Sequence, residues 1–314
     1  MQSPPATVVP MKLHHTALAL LISVVWGFTF SAAKAGVDSL PPLFFTGLRF
    51  LLVALLLAVV LRPLRGGRLK PVLGIALLVG VLHFTLIYLG IKLSGRVSTV
   101  SVAVQLSAPF SLLLAVVMLK EQVGWARWAG TGLAFLGVLV LGFDPVVFQA
   151  LGGLSLVVLG AFVMSYGLIL MRRLHGVGVL ELQGWIALFS APPLLLLSLS
   201  VESGQVSALA NASWVVLGAI AYTALASSIL GQGGWYYLLQ RYQVSQVTPF
   251  GLLAPVWGVM FAVLLYGEVL SLRFITGSAI TLVGVAIITL AGSAPTPRPA
   301  PALTQPVREQ LTPR

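Results

Sequence analysis

Two glutamates, Glu121 and Glu268, sit in matching surroundings, each followed nine and sixteen residues on by glycine (Gly130 and Gly137, Gly277 and Gly284). A carboxylate just before an apolar run has two uses: it complements the positive end of a helix dipole and can cap free amides, or it closes a gate when its face is shut. Capping is the favoured role, with paired gating as the alternative. Other groups able to do chemistry are scattered through apolar sequence: Lys34, Arg49, His83, Gln105, Tyr166 and Gln232, with Trp26, Trp235 and Trp257 as candidate apolar walls. In hydrocarbon such polar groups lack partners, so they must pair with one another or line a water-filled or solute-filled cavity.

Each candidate has a plain structural use as well. Lys34 can snorkel to an interface from the end of the first apolar stretch, or stand at a cavity mouth and attract a carboxylate. Arg49 lies several residues inside the second stretch, where an arginine costs about 2.5 to 3.5 kcal/mol on insertion scales, so it needs a partner. Anchoring by helix-end carbonyls is favoured over substrate contact. His83 titrates in the right class for proton exchange, yet a lone histidine more often packs with a hydrogen bond. Gln105 and Gln232 can form interhelical hydrogen bonds, and the tryptophans can pack or sit in an interfacial belt.

The elements that must position these groups are membrane spans. Hydrophobic residues make up 58% of the 314 and charged residues 8%, with a mean hydropathy of +1.03, whereas soluble domains carry about 25% charge. A spanning helix needs about 20 apolar residues, and ten such stretches fit. The first five run over residues 15–33, 42–61, 72–93, 98–119 and 127–143; the second five cover 151–171, 181–200, 214–239, 244–266 and 274–291. The expected fold is an all-α membrane protein.

Charge orients it. With the N-terminus inside, thirteen of the 18 Lys and Arg fall on the inner side (Lys12, Arg62, Arg65, Arg68, Lys70, Lys120, Arg127, Arg172, Arg173, Arg241, Arg298, Arg308 and Arg314). Four fall outside (Lys34, Lys92, Arg96 and Arg273), and Arg49 is within a span. The excess places both termini in the cytoplasm. Because the basic residues sit in loops between spans and form no single face, the net charge of +11 points to topology and not to nucleic-acid binding.

The two glutamates belong to a longer duplication. Residues 97–142 have a second copy at 244–292: LSAPFSLLLAVVMLKEQ answers LLAPVWGVMFAVLLYGEV. Five spans per copy is an odd number, so the second half enters the membrane from the opposite face and the expected architecture is two inverted five-helix repeats. The halves are assigned to residues 14–143 and 144–292, with Pro-rich tails at 1–13 and 293–314 that cannot bury a core. A signal peptide ending near Ser31-Ala32-Ala33 is the rival reading of the start, set aside because its removal unbalances the halves. Pro109 and Pro255 correspond, and each frees a backbone carbonyl and is expected to kink its helix.

The segments VVWGFTFSAAKAGV (Val24 to Val37) and PPLFFTGLRF (Pro41 to Phe50), with both Ala-Pro to Glu segments, resemble the EamA family of the drug/metabolite transporter superfamily. Within it, the run from Tyr222 to Glu268 is most similar to bacterial exporters of cysteine and O-acetylserine. The resemblance implies an inner-membrane exporter of small metabolites with a central cavity between the halves. Met164 departs from the pattern, since many members carry tryptophan there.

The functional expectation is therefore alternating-access export of a small zwitterionic solute such as cysteine or O-acetylserine through the bacterial inner membrane. Aromatic amino acids or drugs are the alternative cargo, and a non-transporting receptor is the alternative class. No cysteine is present, which excludes disulfides and thiolate chemistry, and the seven acidic residues are too dispersed for a catalytic or metal centre. No cofactor is expected; the partners are the solute and the lipid bilayer, with monomer and homo-oligomer both open.

Overall fold

A computed structural model describes residues 11–64, 66–242 and 244–291, and among them every regular element is helical. Residues 1–10 and 293–314 of the expected tails, and with them Arg298, Arg308 and Arg314, lie outside the described residues, as does Arg65. Ten helices are long and apolar enough to cross a membrane: Leu13–Ser39, Pro42–Val60, Leu69–Ser94, Val97–Leu119, Trp125–Gly142, Leu151–Arg173, Val179–Val201, Trp214–Leu239, Gln246–Tyr266 and Leu272–Leu290. They are numbered span 1 to span 10 below. Two short helices that the sequence reading lacked, Pro145–Phe148 and Gln205–Ala210, occupy the loops after spans 5 and 7.

Span 1 runs six residues past the expected end at Ala33. Nothing in Lys34-Ala35-Gly36-Val37 stops a helix decisively, and Lys34 pairs with Asp38 one turn on at 2.8 Å. The helix ends only where Leu40 turns extended ahead of Pro41 and Pro42. Lys34 therefore lies inside the helix and not at its end.

The repeated glycines have a direct use. Spans 5 and 10 pack backbone to backbone: a methyl group at Gly130 would meet the Gly284 carbonyl oxygen at 2.8 Å, and one at Gly277 the Gly137 carbonyl oxygen at 2.8 Å. Small residues at this spacing let membrane helices approach closely where no water drives them together.

Irregular turns also repeat. Ala76–His83 in span 3 and Thr223–Gly231 in span 8 are both π-helical. Spans 4 and 9 break just before their prolines, at Val104–Leu106 ahead of Pro109 and at Leu252 ahead of Pro255. A proline cannot donate to the carbonyl four residues back and its ring crowds that group, so the preceding turn is where the helix yields. Spans 4 and 9 also end alike, with Lys120 and Gly267 in the left-handed region at φ 54° and 64°.

Loop contacts show which helix ends share a face. The ends of spans 5, 7 and 9 meet the starts of spans 2, 4 and 10 through Glu202 to Leu43, Glu268 to Val97 and Arg273 to Phe143. On the other face Lys12 meets Tyr242, Arg68 meets Gly176, and Arg172 meets Glu121. Alternate loops thus gather at opposite ends of the bundle.

Candidate functional site

Polar and aromatic groups collect where span 1 meets spans 8 and 9. Trp26 and Trp235 adjoin with ring centroids 5.1 Å apart and planes tilted by 51°, and the Trp26 indole N–H donates to the Ser227 carbonyl at 3.4 Å. One turn away Trp257 donates to the Ser23 hydroxyl at 3.1 Å. Tyr222 donates to the Val25 carbonyl at 2.9 Å. These contacts all join the first half to the second. They exist because Gly27 and Gly231 carry no side chain: a methyl group at either would run into Trp257 or Trp26 respectively.

Next to Ser227, the adjoining residue holds the buried cation. Arg49 is 3% exposed; its Nη2 donates to the Ser228 hydroxyl at 3.0 Å and its Nη1 to the Tyr88 hydroxyl at 2.5 Å. The guanidinium carbon lies 4.1 Å from the centre of the Phe84 ring, within the range of a cation–π contact. Ser228 in turn donates to the Thr223 carbonyl at 2.9 Å, a bond that spans five residues and so belongs to the π-helical turn. The expected helix-end carbonyls are not what holds Arg49; two hydroxyls and an aromatic face do, because the side chain points across the bundle instead of along its own helix.

His83 adjoins Phe84, with ring centroids 4.8 Å apart. Its Nδ1 donates to the Gly160 carbonyl at 2.9 Å and the ring is buried. Gln105 and Tyr166, both half-buried, belong to spans 4 and 6, which meet where the Ser165 hydroxyl donates to the Ser107 carbonyl at 2.8 Å. Gln232 is exposed beside Trp235. Among the described residues these three side chains make no hydrogen bond. Met164 packs, half-buried, against the cluster containing Phe50 and Val79.

Lys34 is committed elsewhere, to Asp38 and to the face of Tyr266 at 5.3 Å. That contact sits toward the end of span 1, away from Trp26.

The two glutamates depart from the capping expected of them. Span 10 is capped by Ser271, whose hydroxyl accepts from the Phe274 amide at 3.0 Å and donates to Asp144. Glu268 instead reaches back to the first half and caps span 4, accepting from the Val97 amide at 2.6 Å, the Ser98 amide at 3.3 Å and the Ser98 hydroxyl. Arg96 stands 3.7 Å away. Glu121 caps no helix start; it pairs with Arg172 at 3.1 Å. The reason is packing: the helix start that lies nearest to Glu268 belongs to a neighbouring span.

Sequence reasoning missed Tyr88, Phe84, Tyr222 and the Ser227-Ser228 pair. An arginine within a span demands acceptors from its neighbours, and the two adjacent serines of span 8 were the available signal.

A cavity of about 840 Å³ opens elsewhere, between spans 4, 5 and 6, lined by Leu106, Phe110, Phe135, Leu139, Phe148 and Phe162 among others. Its side chains are apolar apart from Ser155. Such a lining suits hydrocarbon and offers a zwitterion nothing, so the candidate site is the seam between the halves.

Comparison with known proteins bears on the fold and the family. The EamA-like transporter family profile matches twice, over residues 16–143 and 151–290, one match for each group of five spans. The chain is 34% identical to the "Probable amino-acid metabolite efflux pump" of Salmonella typhimurium, over 86% of this chain and 93% of that protein. It is 32% identical to the protein of the same description from Escherichia coli, over 86% and 93%. A crystal structure at 19% identity superposes with a TM-score of 0.59 over 90% of this chain and 98% of its own, which shows a common fold. Ten apolar helices, a twofold match and relatives aligned along nearly their whole length together establish that this chain belongs to the EamA-like transporter family.

Proposed function

We propose that the chain exports amino acids or closely related small metabolites across the bacterial inner membrane, by alternating access of a site between its halves. The observation that carries this reading is the seam itself. Trp26 to Ser227, Trp257 to Ser23, Tyr222 to Val25 and Arg49 to Ser228 all cross from one half to the other. A solute bound there is touched by both halves, so rocking one against the other changes the face to which it is exposed. The efflux-pump description of two relatives supports the direction and the amino-acid class.

In this reading the halves are inverted copies with both termini cytoplasmic. The face carrying Glu202 and Glu268 is then external, and their cross-half hydrogen bonds hold it shut, so the conformation described is closed outward. Cysteine and O-acetylserine are the favoured cargo. Aromatic amino acids are the second reading, favoured by the adjoining indoles of Trp26 and Trp235, which offer aromatic contact.

The test is efflux from proteoliposomes holding the purified full-length chain, loaded in turn with labelled cysteine, O-acetylserine, tryptophan and a cationic drug, at two proton gradients. Release of an amino acid above empty vesicles is expected. Release of the drug alone, or of nothing, overturns the amino-acid reading.

A further inference from the structure

We infer that Arg49 holds the carboxylate of the transported solute, so that the chain selects solutes bearing a free carboxylate over their esters and amides. This assignment rests on the transport reading above and deepens it.

Arg49 is a fixed cation with no anion among the described residues. The three ion pairs among the described residues, Lys34 with Asp38, Arg96 with Glu268 and Arg172 with Glu121, all lie elsewhere. Its listeners are neutral: a tyrosine hydroxyl, a serine hydroxyl and a phenylalanine face. Its Nε is buried and donates to nothing. A guanidinium in low dielectric with two of its five N–H donors given to hydroxyls is an incomplete site for an anion, because the planar fork matches the two oxygens of a carboxylate.

The neighbours can adjust to a carboxylate. Tyr88 and Ser228 each have a hydroxyl that both accepts and donates. They accept from Arg49 now, and Tyr88 can turn its proton toward an incoming oxygen. The two π-helical segments flank the guanidinium, one ending at His83 beside Phe84 and the other containing Ser228. Such turns carry an extra residue and frequently mark functional positions. One residue from Ser228, the Ser227 carbonyl receives Trp26, so a solute with its carboxylate on Arg49 meets the Trp26 and Trp235 rings with its remainder. Indole faces attract an ammonium group, which suits a zwitterion.

The experiment is competition in proteoliposome counterflow. Labelled O-acetylserine, or whichever amino acid of the panel the parent moves fastest, is competed by the unlabelled acid, its methyl ester and its amide, for the parent, Arg49→Gln and Arg49→Lys. In the parent the ester and amide should compete about tenfold to a hundredfold more weakly than the acid, the span expected for losing a charged hydrogen bond. Arg49→Gln should weaken the acid by a similar factor and erase the preference, while Arg49→Lys restores part of it. Thermal unfolding in detergent checks that each variant folds; should Arg49→Gln fail to fold, the parent's preference alone decides. A parent that moves amino acids yet competes equally with their amides overturns the assignment of Arg49 and leaves the transport reading standing. A parent that moves no amino acid overturns that reading, and the assignment falls with it.

Discussion

The two ends of the bundle hold carboxylates in opposite ways. At one end Glu268, with its side chain 7% exposed, accepts two backbone amides and a hydroxyl from span 4. Glu202 does the same for span 2, accepting from the Leu43 and Phe44 amides at 2.9 and 3.1 Å. At the other end Glu121, its side chain 38% exposed, pairs with the Arg172 guanidinium, itself 58% exposed. Glu121 and Glu268 occupy equivalent places in the sequence, so the contrast is not one of residue type. It comes from what surrounds them. Free amides at a buried helix start are strong partners, since left unmade they would be costly, whereas a solvated ion pair exchanges one set of water contacts for another. Matching residues in two halves thus do unequal work.

The contrast can be broken most directly at the glutamates. Glu268→Ala strips span 4 of its cap and leaves Arg96 without its anion, so it should cost about 3 to 5 kcal/mol, the range for breaking a buried pair. Glu121→Ala should cost less than about 1 kcal/mol and respond to salt. Denaturant unfolding of both variants in detergent measures the two; equal losses would erase the distinction between the ends.

A pH series sharpens it. Burial alone would raise the Asp144 carboxyl, but hydrogen bonds from Ser271 and from the Val147 and Val146 amides, with the charge of Arg96 nearby, outweigh burial and hold it below the usual carboxylate range. A carboxyl depressed in the folded state adds stability that is complete above its unfolded value, about 3.9, and is lost as pH falls through the folded value. The melting temperature of the parent should therefore fall more steeply than that of Asp144→Asn on acidification below about pH 4. Parallel curves would remove Asp144 from the acid response.

An effect smaller than that at Glu268 is expected at the helix ends preceding the glutamates. Lys120 and Gly267 both hold left-handed backbone, which an L side chain tolerates poorly. Lys120→Gly should gain about 1 kcal/mol and Gly267→Lys lose about as much. Thermal shifts of opposite sign are the expected reading; shifts of like sign would show that the two ends are not built alike.

Much of this arrangement was legible in the chain. Ten spans follow from length and hydropathy, and the shared Glu and Gly spacing revealed two halves because those residues recur in fixed register. Gly130, Gly137, Gly277 and Gly284 could be read as a motif, but their pairing across spans 5 and 10 needs the assembled bundle. The destination of Glu268 was illegible for the same reason: a carboxylate caps the nearest helix start in space, and sequence order names only the nearest along the chain. Arg49 could be seen to need partners, whereas Tyr88, Phe84 and Ser228 become its partners only once spans 2, 3 and 8 converge. The short helices at Pro145–Phe148 and Gln205–Ala210 are too brief to stand out by periodicity.

The backbone contact between spans 5 and 10 has a mechanical consequence. With carbonyl oxygens set where side chains would otherwise stand, close to Thr281 and Ile287, the pair has little compressible layer to shear. Under the alternating access proposed above, such a pair serves as an axle: a swing of one half about the other is expected to be taken up at softer places, in the proline breaks and wide turns, and not across Gly130 and Gly284.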